Sequence, residues 1–280
     1  MAEDIRRLVG QVGVWYRGAP PGGLAQALER LGYGTLWVGG SPAGDLRAVE
    51  ELAEATSSLT LATGIVNIWN SDPHEVARSC ARLGERHPDR FVLGVGAGHK
   101  EATSEYRSPY AALSAYVDTL LAEAVPAERL VLAALGPRVL RLAAERTAGA
   151  HPYLVPVEHT KRAREILGAR PLLAPEHKAV VDPDPERARA RARAEVIPYL
   201  RLSNYTNNLR RLGWGDADLA EGGSDALVDA LVAHGSADDV AAQLRAHLEA
   251  GADHVAVHLL TREDEEPLDG FTALARALRL

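Results

Sequence analysis

At 280 residues, with 46% hydrophobic and 25% charged content, the chain can bury a large core and has the composition of an ordinary globular protein. A formal net charge of −7, with basic residues interleaved among acidic ones, gives no pull toward nucleic acid or anionic membranes. The single cysteine excludes an internal disulfide, no apolar run approaches membrane-spanning length, and the opening Met-Ala-Glu-Asp-Ile-Arg-Arg has no signal-peptide core behind it, so a cytoplasmic location is expected.

A first strand is expected over residues 12–15, closed by the glycine- and proline-rich run 18–23. Helical spacing over 24–31 stops at Gly32, where a left-handed cap fits. The second strand, 34–38, runs into Gly39-Gly40-Ser41-Pro42, and Asp45 is placed to cap a helix over 46–57. The third strand, 59–68, alternates Leu59, Leu61, Ile65, Val66 and Ile68 with threonines and is interrupted at Gly64, the mark of a bulge or of a close approach to the backbone. It closes on Asn70-Ser71-Asp72-Pro73, a cap followed by proline, so a helix starts at about Pro73 and carries Val76, Cys80 and Leu83 inward. Cys80, mid-helix, reads as a small packing residue.

The fourth strand, 90–99, has a glycine-rich exit; helix 110–122, strand 130–134 and helix 138–147 follow. A sixth strand over 150–155 is broken by Pro156, with helix 158–167 behind it, and the seventh lies within 171–181. Then come an arginine- and alanine-rich helix 184–199, further helical material over 204–232, helix 237–250, an eighth strand 254–260 and a last helix 268–280. Strand and helix alternate with short connections, which argues for a parallel sheet, and eight such units in this length make a (β/α)8 barrel of the α/β class. A single domain over 1–280 is expected, with an extra helical segment between strands seven and eight. An open doubly wound sheet would show its phosphate fingerprint after strand one, and the turn 18–23 lacks the spacing.

A barrel places function at the C-terminal ends of its strands: here Ser41, Gly64 to Asn67, Gly96 to His99, Leu135-Gly136-Pro137 and Pro152-Tyr153. No cluster of metal ligands or strand-end lysine is evident there, although Lys178 lies near strand seven, so no metal is expected. What remains is a mouth with open backbone, suited to a flat ring. Gly94-Val95-Gly96-Ala97-Gly98 lacks the Lys-Ser/Thr of a phosphate loop and reads equally as glycines for close packing or for a ligand. His99 follows the last glycine, at a position open to a catalytic role. The stretch 156–164 reads either as a helix start that binds an anion through His159, Thr160 and nearby cations or as a charged, solvated face. Residues 204–209, amide-rich, are either a cover over the mouth or a plain loop.

These residues resemble the luciferase-like monooxygenase superfamily, in its branch using the deazaflavin coenzyme F420. The resemblance spans nearly the whole chain and rests on Thr63-Gly64-Ile65-Val66-Asn67 with Asp72-Pro73, on Arg90-Phe91-Val92-Leu93-Gly94-Val95-Gly96, on Ala133-Ala134-Leu135-Gly136-Pro137 and on Gly251-Ala252-Asp253-His254-Val255. It implies a luciferase-like (β/α)8 barrel, commonly a homodimer, with F420 at the C-terminal mouth. It implies a non-prolyl cis peptide at Gly64-Ile65 supporting the ring, with Val66 and Asn67 beside it and Gly96, Ala97, Gly98 and His99 flanking ring and substrate. An acidic residue at the His99 position donates a proton in related sugar-phosphate dehydrogenases, and histidine can do the same near neutral pH. Coenzyme-tail contacts fall on Leu135, Gly136, Pro137, Pro152, Tyr153, His159 and Thr160, and Ser41 and Trp15 stand on the substrate side.

The chain departs from those dehydrogenases at Gly40-Ser41, where they carry an Asp-His pair; this leaves the small-molecule substrate open. A 5-deazaflavin exchanges hydride at carbon, so the implied reaction is two-electron hydride transfer between F420 and a small organic substrate. Three alternatives stand beside it: an FMN-dependent monooxygenase on the same barrel, a non-catalytic deazaflavin-binding or carrier protein, and an unrelated barrel lyase or isomerase.

Overall fold

The computed structural model describes residues 4–99, 108–262 and 264–280. In chain order the first half comprises α1 (Ile5–Val9), β1 (Val12–Arg17), α2 (Leu24–Arg30), β2 (Thr35–Gly39), α3 (Arg47–Ala55), β3 (Thr60–Gly64), β4 (Val66–Asn67), α4 (Pro73–Arg86), β5 (Phe91–Gly96), α5 (Pro109–Ala122), β6 (Leu130–Leu132) and α6 (Pro137–Arg146). The second half comprises β7 (Gly149–Ala150), α7 (Val157–Leu167), β8 (Leu172–Leu173), β9 (Glu176–Val181), α8 (Pro185–Leu200), α9 (Ser203–Arg211), α10 (Asp216–Leu219), α11 (Asp225–Leu231), β10 (Val232–Gly235), α12 (Ala237–Glu249), β11 (Val255–Leu259) and α13 (Pro267–Leu278).

Every strand pairing is parallel, in the order β10-β9-β11-β1-β2-β3-β5-β6-β7-β8, with β4 on β5. Only Ala174 and Pro175 separate β8 from β9, and this one stave bonds on both sides. Ala174 and Glu176 donate to Ala150 and Pro152 carbonyls at 2.9 and 2.8 Å, while the Ala256 N–H donates to Pro175 O at 2.9 Å. The sheet thus returns on itself, as the alternation of strands and helices predicts.

Two differences from the sequence reading have local causes. The helical material expected over 204–232 ends earlier: Val232 starts β10, which pairs Val232 to Gly235 with Lys178 to Val181 on an edge of β9 that strand six has already left. Strand six is shorter than 150–155 because Pro152 brings no N–H to the ladder and Leu154 takes a positive φ of 52°.

Trp15, Trp37, Ala62, Val92, Val131, Leu172, Ala174 and Ala256 fill the inside of the sheet, and a larger cluster of leucines and valines packs its outer face under the helices. Arg90 ties the lower rim: its guanidinium donates to the carbonyls of Ala53, Thr56 and Leu59 and to Thr56 Oγ1, joining the end of α3 to the starts of β3 and β5. Helix α4 starts where the sequence signals it. Asp72 Oδ1 accepts the Glu75 N–H at 3.0 Å and Pro73 occupies the first turn, fixing the direction in which the chain leaves β4. Asp72→Ala is expected to cost about 1 kcal/mol in urea unfolding, and an unchanged midpoint would show that packing alone holds this helix end.

Candidate active site at the mouth of the barrel

The third strand carries an extra residue near its C-terminal end. Leu61 and Ala62 pair with Phe91 and Val92, whereas Val66 and Asn67 pair with Val95 and Gly96, so between Ala62 and Val66 this stave is one residue longer than β5. This is a β-bulge, and the Gly64-Ile65 peptide within it is cis. Thr63 pins the bulge from below, its Oγ1 donating to Gly94 O and accepting the Gly94 N–H, both at 2.8 Å. The Ile65 side chain then lies over β5. A Cβ at Gly94 would meet Ile65 Cγ2 at 3.3 Å and Thr63 O at 2.1 Å; one at Gly96 would meet Ile65 at 3.1 Å and Ala133 at 2.8 Å.

The open backbone expected at these glycines is therefore filled by the chain's own side chains. The same holds opposite: the Trp15 indole N–H donates to Gly64 O at 3.1 Å, and a Cβ at Gly39 would stand 2.0 Å from the Trp15 ring. What stays half-exposed is the edge of Gly64, Ile65 and Asn67 together with Ala97, Gly98 and His99. Gly98, at φ 58°, brings the backbone against Asn67, and Trp69 donates from its indole to Ala97 O at 2.7 Å. Ser41 is exposed and lies after β2 at φ 59°.

Helix α9 answers the question left open for residues 204–209. Asn204 Nδ2 stands 3.4 Å from His99 Nδ1, and the Tyr205 ring lies 5.4 Å from the His99 ring with its own side chain buried. Burial pushes the Tyr205 hydroxyl well above its ordinary pKa. One turn on, Asn208 and Arg211 line a narrow cavity with Leu135, Pro137, His159 and Arg162. Here His159 is almost fully buried, with Nε2 on Leu135 O at 3.1 Å and Nδ1 without a partner. Of the residues expected at the coenzyme tail, Leu135, Pro137 and His159 thus come together, with Gly136 at the start of α6, where a Cβ would stand 4.0 Å from Arg211 Nη1. Thr160 turns away and bonds His247 Nδ1 at 2.8 Å, in the layer between sheet and helices.

Tyr153 belongs to a separate polar cluster that the sequence reading missed. Glu176 and Lys178 on β9 and His258 on its neighbour β11 are buried, with Lys178 Nζ 2.9 Å from Glu176 Oε1 and 2.7 Å from Tyr153 Oη. Tyr153 reaches Tyr199 at 2.9 Å, and Arg17 donates to Tyr199 Oη at 3.4 Å and to Glu195 at 3.2 Å. Burial alone would raise the Glu176 carboxyl; Lys178 and His258 outweigh it and hold the group well below the usual range. The available signal was Glu176-His177-Lys178: two opposite charges two residues apart share one face of a strand, and in an otherwise apolar stave that face points inward.

Among the described residues no group of three or more His, Cys, Asp or Glu side chains could hold a metal ion, and no helix is long and apolar enough to cross a membrane.

A family model described as luciferase-like monooxygenase matches residues 22–122. The fold is luciferase-like. The chain superimposes on an F420-dependent secondary alcohol dehydrogenase in complex with an F420-acetone adduct at TM-score 0.74 and 16% identity, over 96% of this chain and 99% of that one. It superimposes on the oxygenating constituent of 3,6-diketocamphane monooxygenase from the CAM plasmid of Pseudomonas putida, in complex with FMN, at TM-score 0.66 and 15% identity, over 96% and 97%. At such identities these likenesses establish the fold. A 4-hydroxyprotoasukamycin monooxygenase from Streptomyces nodosus subsp. asukaensis is 35% identical over 82 residues, 27% of this chain and 22% of that protein's length. The likeness to luciferase-like proteins drawn from the sequence motifs is met by the family model over residues 22–122 and by the fold.

Burial dominates the titration of the histidines. It lowers His151, His159, His177, His254 and His258 to about 4 and His247 further, so all are neutral in the folded chain. An unfolded histidine titrates near 6.5, so between about pH 6.5 and 4 the unfolded chain binds more protons and stability falls as pH falls. Two groups shifted this far would remove roughly 3–4 kcal/mol between pH 7 and pH 5. Urea midpoints across that range should drop accordingly; a flat profile would mean that these side chains are solvated or charged in the fold.

Proposed function

We propose that the chain is an oxidoreductase that binds coenzyme F420 at the C-terminal mouth of its barrel and exchanges hydride between it and a small organic substrate. The observation that carries this reading is the one-residue bulge at the end of β3, which sets half-exposed Ile65 and Asn67 against Ala97, Gly98 and His99 in a luciferase-like barrel. Solved proteins of this fold are described with F420 or FMN bound.

The residues fit such a group, with one adjustment to the expectation. Since Trp15, Ile65 and Ala133 cover Gly64, Gly94 and Gly96, the ring would rest on the Ile65–Asn67 edge rather than on the bare glycines. The anionic tail would lie toward Arg162, Arg211 and the N-terminus of α6, where the unpartnered His159 Nδ1 gives the cavity an unmet polar requirement. F420, when bound, supplies a two-electron hydride centre at a ring carbon. Asn204 and Tyr205 position the His99 imidazole at the mouth, where it would hold or deliver the substrate proton.

Titration of the purified protein with F420 and with FMN, followed by absorbance or fluorescence, tests the choice of coenzyme. Saturable F420 binding with none to FMN is expected, and tight FMN binding without F420 binding reverses the assignment. His99→Ala should leave F420 affinity within about threefold while lowering turnover with a panel of alcohols, aldehydes and enones by roughly 10²-fold or more. Undiminished turnover would take His99 out of the mechanism.

A further inference from the structure

A second opening at the mouth lies between the C-terminal ends of β1 and β11 and helix α8. It is a cleft of about 400 Å³, the size of a small-molecule site, lined by Tyr16, Arg17, Arg191, Glu195, His258 and Leu260 among others. Trp15 separates it from the bulged edge: its indole N–H is spent on Gly64 O, while its ring packs 4.3 Å from the His258 ring. The cleft's cations are matched on the spot, Arg17 by Glu195 at 3.2 Å and Arg191 by Glu265 at 3.1 Å. It therefore presents no unbalanced charge for an ionic ligand.

What it presents is a spare donor, and Lys178 behind the wall dictates it. An ammonium has three N–H groups and no lone pair, and Lys178 has three acceptors in reach: Tyr153 Oη at 2.7 Å, Glu176 Oε1 at 2.9 Å and His258 Nδ1 at 2.9 Å. Each takes one proton. His258 Nδ1 and Glu176 Oε1 stand 3.0 Å apart because the same ammonium draws both, and Glu176 is fixed from its other side, where Oε2 accepts the Leu154 N–H at 3.0 Å. Nδ1 therefore carries the lone pair, and since burial keeps the ring neutral its one proton sits on Nε2. Among the described residues that N–H has no protein acceptor, because the one carboxylate paired with the ring, Glu176, faces Nδ1. The His258 side chain is only 9% exposed, yet Nε2 is not among the sealed atoms of the core, so this N–H meets the cleft. The other arm of the network ends in the same way. Tyr153 and Tyr199, 2.9 Å apart, lie between Lys178 and Arg17, both of which can only donate. Of their two hydroxyl protons one bonds within the pair, and the other has no acceptor among the described residues.

We propose that this cleft binds a neutral organic ligand through a carbonyl oxygen, which accepts the His258 Nε2–H while Lys178 holds the imidazole in the tautomer that donates. The apolar body of the ligand lies against Tyr16, Ala194 and Leu260. A carboxylate is the wrong ligand, because it would add negative charge beside Glu176 and Glu195 where Arg17, Arg191 and Lys178 are already paired. The assignment goes beyond the coenzyme reading and stands without it: nothing in it requires F420, and its test is made on the protein alone.

The probes are cyclohexanone and methylenecyclohexane, which share a shape and differ in the acceptor oxygen. Long-range proton–nitrogen NMR of histidine-labelled protein at pH 7.5 should show His258 with Nε2 protonated and Nδ1 bare. Cyclohexanone should move the Nε2–H proton resonance saturably to lower field, and methylenecyclohexane should not. In His258→Asn, whose amide oxygen can still accept from Lys178 but which has no ring N–H, cyclohexanone should bind about five- to tenfold more weakly, the worth of one hydrogen bond, with methylenecyclohexane unchanged. A bare Nε2 in the free protein, an Nε2–H that saturating cyclohexanone leaves unmoved, or an equal change for both probes in the variant overturns the proposal. Because the first two measurements are made on the unsubstituted chain, a variant that fails to fold does not remove the test. Absence of F420 binding in the earlier titration would leave this result untouched, and the reverse also holds.

Discussion

The constraint on which the mouth depends is the single surplus residue in the third stave. Inserting it between Ala62 and Val66 forces the following pair, Val66 and Asn67, into a new register on β5 and rotates Ile65 onto the face of that strand. A side chain at 94 or 96 would then collide with Thr63 or Ile65, so glycine at both positions is a packing requirement of the bulge. On the other side, Trp15 closes over the Gly64 carbonyl and in turn excludes a side chain at Gly39. Four glycines, one threonine and one tryptophan in separate parts of the sequence therefore answer to one local geometry.

Beneath and beside that geometry the interior is unusually polar for a barrel. Trp37 stacks on His151 at 4.0 Å and donates to His254 Nε2 at 2.9 Å, and His254 reaches Gly10 O at 2.8 Å. A fully buried Lys178–Glu176 pair is weak evidence for stability, since desolvation consumes most of the attraction, but removing one partner strands the other at a cost of about 3–5 kcal/mol. Such a pair gives direction rather than strength. It fixes where Tyr153, His258 and Leu154 point, and through Tyr153 and Tyr199 it connects the barrel interior to Arg17 and Glu195 at the surface.

Much of this was legible in the sequence because local chemistry and global fold agree there. The alternation of apolar strands with capped helices gave the barrel order, and Asp72-Pro73 and Gly64 marked a helix start and a bulge within a residue of where they stand. Less legible was what depends on contacts far apart in the chain. That Gly94 and Gly96 are covered by Ile65 could not be read from β5, nor could Thr160's turn toward His247, because each is decided by a partner elsewhere in the fold. Val232 looked helical in continuity with the leucines before it; the vacant edge of β9 claimed it as a strand, a tertiary override of local pattern. Of the Glu176-His177-Lys178 triplet only Lys178, near strand seven, stood out in the sequence, and inward alternation in a buried stave reveals the three as part of a core network.

Helix α9 reaches two places at once. Its first turn supplies Asn204 and Tyr205 to the surroundings of His99, and its last turn supplies Asn208 and Arg211 to the cavity of His159. A short rod with both ends engaged transmits a tilt at one end to the other, so the chamber around the imidazole and the pouch beside α6 open or tighten together.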